Sequence, residues 1–162
     1  MDSTDLKILA LLQQDARATN ADLAAQVDLT ASSVYERVRK LQDQGVIRRY
    51  TVQVDPAALG KPLTAFIRLT VAYDDRQAPG VAALAEDPDV LECYSVAGED
   101  CYIIKTRVAG PSELEALIYR IRGRLTVLRS VTMIALSAIK EDGVLVAAES
   151  APQKARSKNG NA

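Results

Sequence analysis

The chain has 162 residues and a formal net charge of −1, enough for one large core or two small domains. With so little bulk charge, any nucleic-acid contact must come from a local patch. It has no His and no Trp, and Cys93 and Cys101 are its only cysteines, which argues against a metal site, a His-based triad and a disulfide scaffold.

Both thiols read as small, reduced, buried residues. No run reaches the roughly 18–20 apolar residues of a membrane span. The stretch Met1–Asp5 is acidic and polar, unlike the basic start of a signal peptide. A soluble, cytoplasmic protein without a cofactor is expected.

The first predicted helix runs from Ser3 to Ala16, with Leu6, Leu9 and Leu12 at helical spacing and Asp2 or Ser3 as cap. Thr19 and Asp22 resemble a capping box and open a short helix, Asn20–Val27, with Leu23 and Val27 inward. Asp28-Leu29 then turns the chain into Thr30.

The third helix, Thr30 to Gln44, has Val34, Val38 and Leu41 as an apolar stripe. Thr30 suits the N-cap and Gly45 the left-handed position after the last turn. A short helix, a tight turn and a longer capped helix make a helix-turn-helix, whose second helix enters the major groove. Alone, the segment would pass for an amphipathic surface helix.

Ser32, Ser33, Glu36 and Arg39 are expected to face bases, and Tyr35, Lys40, Arg48 and Arg49 sugar and phosphate. Residues 30–54 hold Arg37, Arg39, Lys40, Arg48 and Arg49 against Glu36 and Asp43. That local cationic surplus is what phosphate affinity requires. Arg37 lies only about 60° from the stripe, taking about 100° per residue. It is as well placed to brace the helix, through Asp28 or Asp43, as to touch phosphate.

Val46–Val54 is β-branched and reads as a strand, stopped by Asp55-Pro56. Residues 1–45 are thus a DNA-binding domain and 46–60 a strand and linker. A second domain, 61–148, follows with a different rhythm.

Its predicted elements are a strand Leu63–Ala72, a helix Pro79–Ala85 and strands Val90–Val96 and Cys101–Val108. A helix Pro111–Arg124 and a last strand Val127–Ile139 complete it. The order β-α-β-β-α-β is the ferredoxin-like plait, so the fold class is α+β. Such a sheet carries helices on one face, and the other face, expected to hold Leu69, Val71, Ile103 and Ile134, is too apolar to leave in water. A second copy would cover it, which predicts a homodimer or larger assembly. Residues 149–162 read as a disordered tail whose Lys154, Arg156 and Lys158 could touch DNA or merely solubilise.

These residues carry a resemblance. The stretches LKILALLQQDARATNADLAAQV, LTASSVYERVRKLQDQGVIRRY, VDPAALG and YSVAGEDCYIIKTRV resemble the leucine-responsive regulator / asparagine-regulator (Lrp/AsnC) family of transcription factors, in order and over nearly the whole chain. The resemblance implies a winged helix-turn-helix and a ferredoxin-like domain that binds small effectors, commonly amino acids, with dimers often assembling into octamers. It places Gly98, Glu99 and Asp100 by the effector cleft, with Ser130, Thr132 and Met133 of the last strand nearby.

An acidic side chain suits an ammonium, and Asp100 matches the family's acidic position; AGED alone is simply a good hairpin turn. Asp28 stands where the family often has Gly, and Thr30 where Ser is frequent. Two alternatives remain: an architectural DNA-binding protein without an effector, and an enzyme on the same plait. The enzyme lacks a general base and an activated nucleophile.

Overall fold

The computed structural model describes residues 1–141, which divide into two compact units, Met1–Val52 and Gln53–Glu141. The tail at 149–162 and its three cations lie outside the described residues.

In the first unit, α1 (Ser3–Gln14), α2 (Asn20–Val27) and α3 (Ala31–Asp43) enclose a core of Ile8, Leu23, Ala24 and Val34. α1 ends two residues before Ala16 because Asp15 becomes extended and its side chain accepts the Arg17 N–H at 2.8 Å. That local bond competes with the helical one. Thr19 and Asp22 do form a reciprocal box: the Thr19 N–H donates to Asp22 at 3.0 Å and the Asp22 N–H to Thr19 at 3.2 Å.

α3 begins where its N-cap predicts, the Ser33 N–H donating to Thr30 Oγ1 at 3.2 Å. It ends in a Schellman motif. Gly45 has φ +69°, and the N–H groups of Gly45 and Val46 bond the carbonyls of Gln42 and Leu41, both at 2.9 Å.

The predicted strand Val46–Val54 does not form: the segment is turn and irregular chain. A strand needs a neighbour for its backbone groups, and no other described segment pairs with it. Its valines are exposed, Val52 at 80%.

The second unit contains β1 (Leu63–Val71), α4 (Gln77–Ala85), β2 (Val90–Ser95), β3 (Tyr102–Val108), α5 (Pro111–Arg124) and β4 (Val127–Ile134). The sheet is antiparallel, in the order β2-β3-β1-β4, as a ferredoxin-like plait requires. α4 starts two residues before Pro79, which costs nothing because a first-turn N–H has no helical acceptor.

β4 stops at Ile134, not Ile139. Its last bond to β1 is from the Ala135 N–H to the Thr64 carbonyl. Pro62 lies beyond the start of β1 and carries no N–H, so Leu136 and Ile139 are left 99% and 100% exposed.

One face of the sheet packs on α4 and α5. Ala65, Ile67, Leu69 and Val71 of β1 join Ile104, Leu84, Leu117, Ile121 and Leu125 in its core. This corrects the expected open face. Leu69 and Val71 are buried under the helices at 1% and 2% exposure. Ile134 pairs with the core-facing Ala65, which puts it on that side too, since directly paired residues share a face.

Of the four named residues only Ile103, opposite Arg68, lies on the other side. Its company there is mixed: Phe66, Arg68, Thr70, Lys105, Arg107, Glu92, Tyr94, Val131 and Met133, by the same pairing. The alternation around Arg68 and Thr70 already marks that face as the more polar one.

Candidate nucleic-acid interface and effector loop

α3 is held by Val34, fully buried, and Leu41, 2% exposed. Ser32, Ser33, Tyr35, Glu36, Arg39 and Lys40 all remain exposed, giving a polar and cationic surface on a fixed support. The Ser32 and Ser33 hydroxyls lie 3.0 and 2.8 Å from Thr30 Oγ1, a hydroxyl cluster at the positive end of the helix dipole. Arg39 meets Asp43 one turn on at 3.9 Å, both solvated, a weak pairing that a phosphate or base edge would displace. Arg48 and Arg49 are exposed on the irregular segment after Gly45.

Arg37 stands apart from the other predicted DNA contacts. Its Nη1 donates to Asp2 at 2.8 Å and Asp5 at 2.7 Å. The bracing is therefore against α1, not against Asp28 or Asp43. The Asp5 N–H and then Arg37 hold the Asp2 carboxyl below its ordinary pKa. Sequence spacing locates Arg37 at the core edge but is blind to a partner 35 positions away.

Asp28 ends α2 with φ 54° and ψ 44°, a left-handed residue where glycine carries less strain. The substitution leaves the turn intact, since the Leu29 N–H still bonds Ala24 at 3.2 Å.

In the second unit, Gly98, Glu99 and Asp100 join β2 to β3. Gly98 has φ +134°, a conformation that side chains rarely adopt. Glu99 is exposed, and its carbonyl accepts from Thr70 at 3.3 Å. Asp100 is buried, and Arg68 Nε donates to its Oδ2 at 2.6 Å. Asp100 Oδ1 is buried without a hydrogen-bond partner.

The predicted β4 residues separate. Met133 lies opposite Phe66 on the face bearing Arg68, whereas Ser130 and Thr132 lie opposite Leu69 and Ile67 on the helix side. Arg122 of α5 reaches Ser130 Oγ at 3.4 Å. Loop and strand thus supply a charged pair, an orphan acceptor and one thioether on one face, with two hydroxyls behind it. Arg68 was not picked out from the sequence; a lone Arg on a strong strand looks like an ordinary solvated residue.

Opposite the loop, Asp87 and Asp89 anchor the plait. Arg120 forks onto Asp87, 3.1 Å from each oxygen, and reaches Asp89 at 2.6 Å. Arg124 adds a bond to Asp87 at 2.9 Å, and Lys61 one to Asp89 at 2.7 Å. Burial works to raise the Asp87 pKa, but the arginines outweigh it and the net shift is downward. Asp89 is lowered first by Lys61. Among the described residues, no helix is long and apolar enough to cross a membrane and no acidic, Cys or His cluster could hold a metal.

Residues 1–48 match the winged helix-turn-helix DNA-binding family model, and residues 64–145 match the Lrp/AsnC ligand binding domain. The transcriptional regulator LrpA of Mycobacterium tuberculosis is 37% identical over 83% of this chain and 89% of its own. The leucine-responsive regulatory protein of Haemophilus influenzae is 32% identical over 90% of both. The crystal structure of a Neisseria meningitidis transcriptional regulator in complex with L-Met superposes with a TM-score of 0.82 at 28% identity, covering 87% of this chain and 93% of that one.

Proposed function

The chain belongs to the Lrp/AsnC family of transcriptional regulators, and from that premise we propose how its two units divide the work. It is a DNA-binding regulator with a ligand-binding domain. α3 reads the major groove through Ser32, Ser33, Glu36 and Arg39, while Tyr35, Lys40, Arg48 and Arg49 contact the backbone. The observation that carries this reading is α3 itself: capped at both ends, anchored by Val34 and Leu41, and polar on its free side. A rigid helix of this width fits the groove.

The second unit takes a small effector, an amino acid by its chemistry. Asp100 and Gly98 support that reading, and so does the L-Met complex of the Neisseria relative. The work of the protein is cytoplasmic and non-catalytic, as its relatives' regulatory role suggests. It acts as a homodimer or an octamer. Leu128, Leu136 and Ile139 support self-association, being large apolar side chains left in water along and after β4.

Fluorescence anisotropy on a duplex selected from a random pool, with and without a panel of amino acids, tests both halves. Tight, salt-dependent binding that shifts with one amino acid is expected. Equal affinity for selected and scrambled duplexes would sink the reading role of α3. One observation favours the effector-independent alternative, an architectural DNA-binding protein: Arg68 already neutralises Asp100. Calorimetry showing no heat from any amino acid, and sedimentation showing no change in assembly, would decide for it.

A further inference from the structure

We infer that Arg37 sets the orientation of α3 through a carboxylate pair on α1, Asp2 and Asp5, and so is a positioning residue for base reading and not a phosphate ligand. The inference rests on the DNA-reading role of α3 and deepens it.

The argument is an accounting of four carboxylate oxygens. Asp2 Oδ1 accepts from the Asp5 N–H at 2.8 Å, and Asp5 Oδ2 from the Asp2 N–H at 2.9 Å. That reciprocal capping box occupies one oxygen of each acid and locks both side chains to the start of α1. The two oxygens left over, Asp2 Oδ2 and Asp5 Oδ1, both receive Arg37 Nη1. The cap therefore builds a preformed dianionic receptor, and the helix dipole of α1 steadies it. Arg37 enters from α3 and closes it.

This contact does what the apolar stripe does not. Val34 and Leu41 hold α3 against its neighbours along one line, and apolar contact is non-directional. Rotation about the helix axis is resisted by directional bonds off that line, and Arg37 lies off it. Of the cations between residues 30 and 54, Arg37 alone is paired across helices among the described residues. Asp2 and Asp5 also neutralise it, which blunts its attraction for phosphate. Sites that discriminate must be held to a fraction of an ångström by neighbouring groups, and the cap of α1 supplies that hold.

The test compares wild type, Asp2→Asn/Asp5→Asn, Arg37→Gln and Arg37→Lys on a duplex selected from a random pool and on its scrambled counterpart. Anisotropy is read over a salt series, with circular dichroism confirming the folded state. The asparagines keep cap acceptors but lose the charges that hold Arg37. We expect the double variant and Arg37→Gln to lower the selected-to-scrambled affinity ratio about tenfold, the effect of one misplaced base contact, with the salt slope unchanged. Arg37→Lys recovers part of the ratio, because an ammonium still reaches one carboxylate.

If the double variant fails to fold, Asp2→Asn alone, at a half-exposed side chain, is expected to lower the ratio about threefold. An unchanged ratio in the folded variants would overturn the inference. So would tighter binding of both duplexes by the double variant together with a salt slope reduced by about one in Arg37→Gln, the behaviour of a phosphate ligand. Wild type that binds neither duplex would instead remove the DNA-reading role from which the inference starts.

Discussion

Arg68 Nη2 lies 2.5 Å from Asp100 Oδ2 across the start of β3, and the other Asp100 oxygen is buried without a partner. The acid proposed to meet an effector's ammonium therefore already has a cationic partner, and it is one hydrogen bond short. Removing Arg68 leaves a buried carboxylate wholly uncompensated. Arg68→Gln is expected to destabilise the plait by about 1–3 kcal/mol. Asp100→Asn combined with it restores much of that, because the charge is gone. Urea titration of both single variants and the double checks the coupling; additive losses would show that the pair is not linked.

The roles proposed for Arg39 and Lys40 on α3 are separable by experiment. Arg39→Ala is expected to weaken binding to a selected duplex by about 1–3 kcal/mol while barely changing a scrambled one. Lys40→Ala weakens both alike and lowers the salt slope by about one. Equal loss on both duplexes for Arg39→Ala would exclude it from base reading.

The left-handed turn at Asp28 is open to improvement. Asp28→Gly removes the steric cost at φ 54° but adds unfolded-state entropy, so a net gain of about 0.5 kcal/mol is expected. Asp28→Val, β-branched, costs about 1–2 kcal/mol. Thermal melts of the two variants should move in opposite directions.

Gly80 marks the closest approach of α4 to the end of α5. A Cβ there would stand 2.5 Å from both the Arg124 carbonyl and Leu125 Cδ2. Gly80→Ala is expected to destabilise by about 1–3 kcal/mol through overpacking. A melting temperature equal to wild type would mean that the helices part freely.

Acid should unfold the plait through Asp87 and Asp89, whose pKa values are both lowered in the fold. Their contribution is fully present above the unfolded aspartate value of about 3.9 and is lost as pH falls through the lower folded values. Asp87→Asn leaves Arg120 with Asp89 alone and takes from Arg124 its carboxylate partner, and is expected to cost about 2 kcal/mol at neutral pH. It should also flatten the stability–pH curve below about pH 4. A curve as steep as wild type's would assign acid unfolding to other carboxylates.

What the sequence determined by itself was whatever closes within a few residues. Thr30 with Ser33, Gly45 with Gln42, and Thr19 with Asp22 are caps spanning three positions, and each was legible as residue type at fixed spacing. α5 and the order of the plait followed from periodicity, since side-chain direction repeats with the backbone. The exposed positions of α3 came from the same rule.

Tertiary structure alone decided whatever closes over longer distances. Val46–Val54 has the composition of a strand, but strand formation needs a neighbour. Leu69 and Val71 were placed on the wrong side because alternation defines two faces without saying which one the helices cover. Arg37 has Asp2 and Asp5 as partners, and Asp100 has Arg68, each across more than thirty positions. No local pattern records such a pairing, because the chain between the partners carries none of its energy. The polar, cationic face proposed to read DNA was therefore legible from residues 30 to 44, while the Arg37 bridge to α1 and the cation beside Asp100 emerged only once the chain had folded.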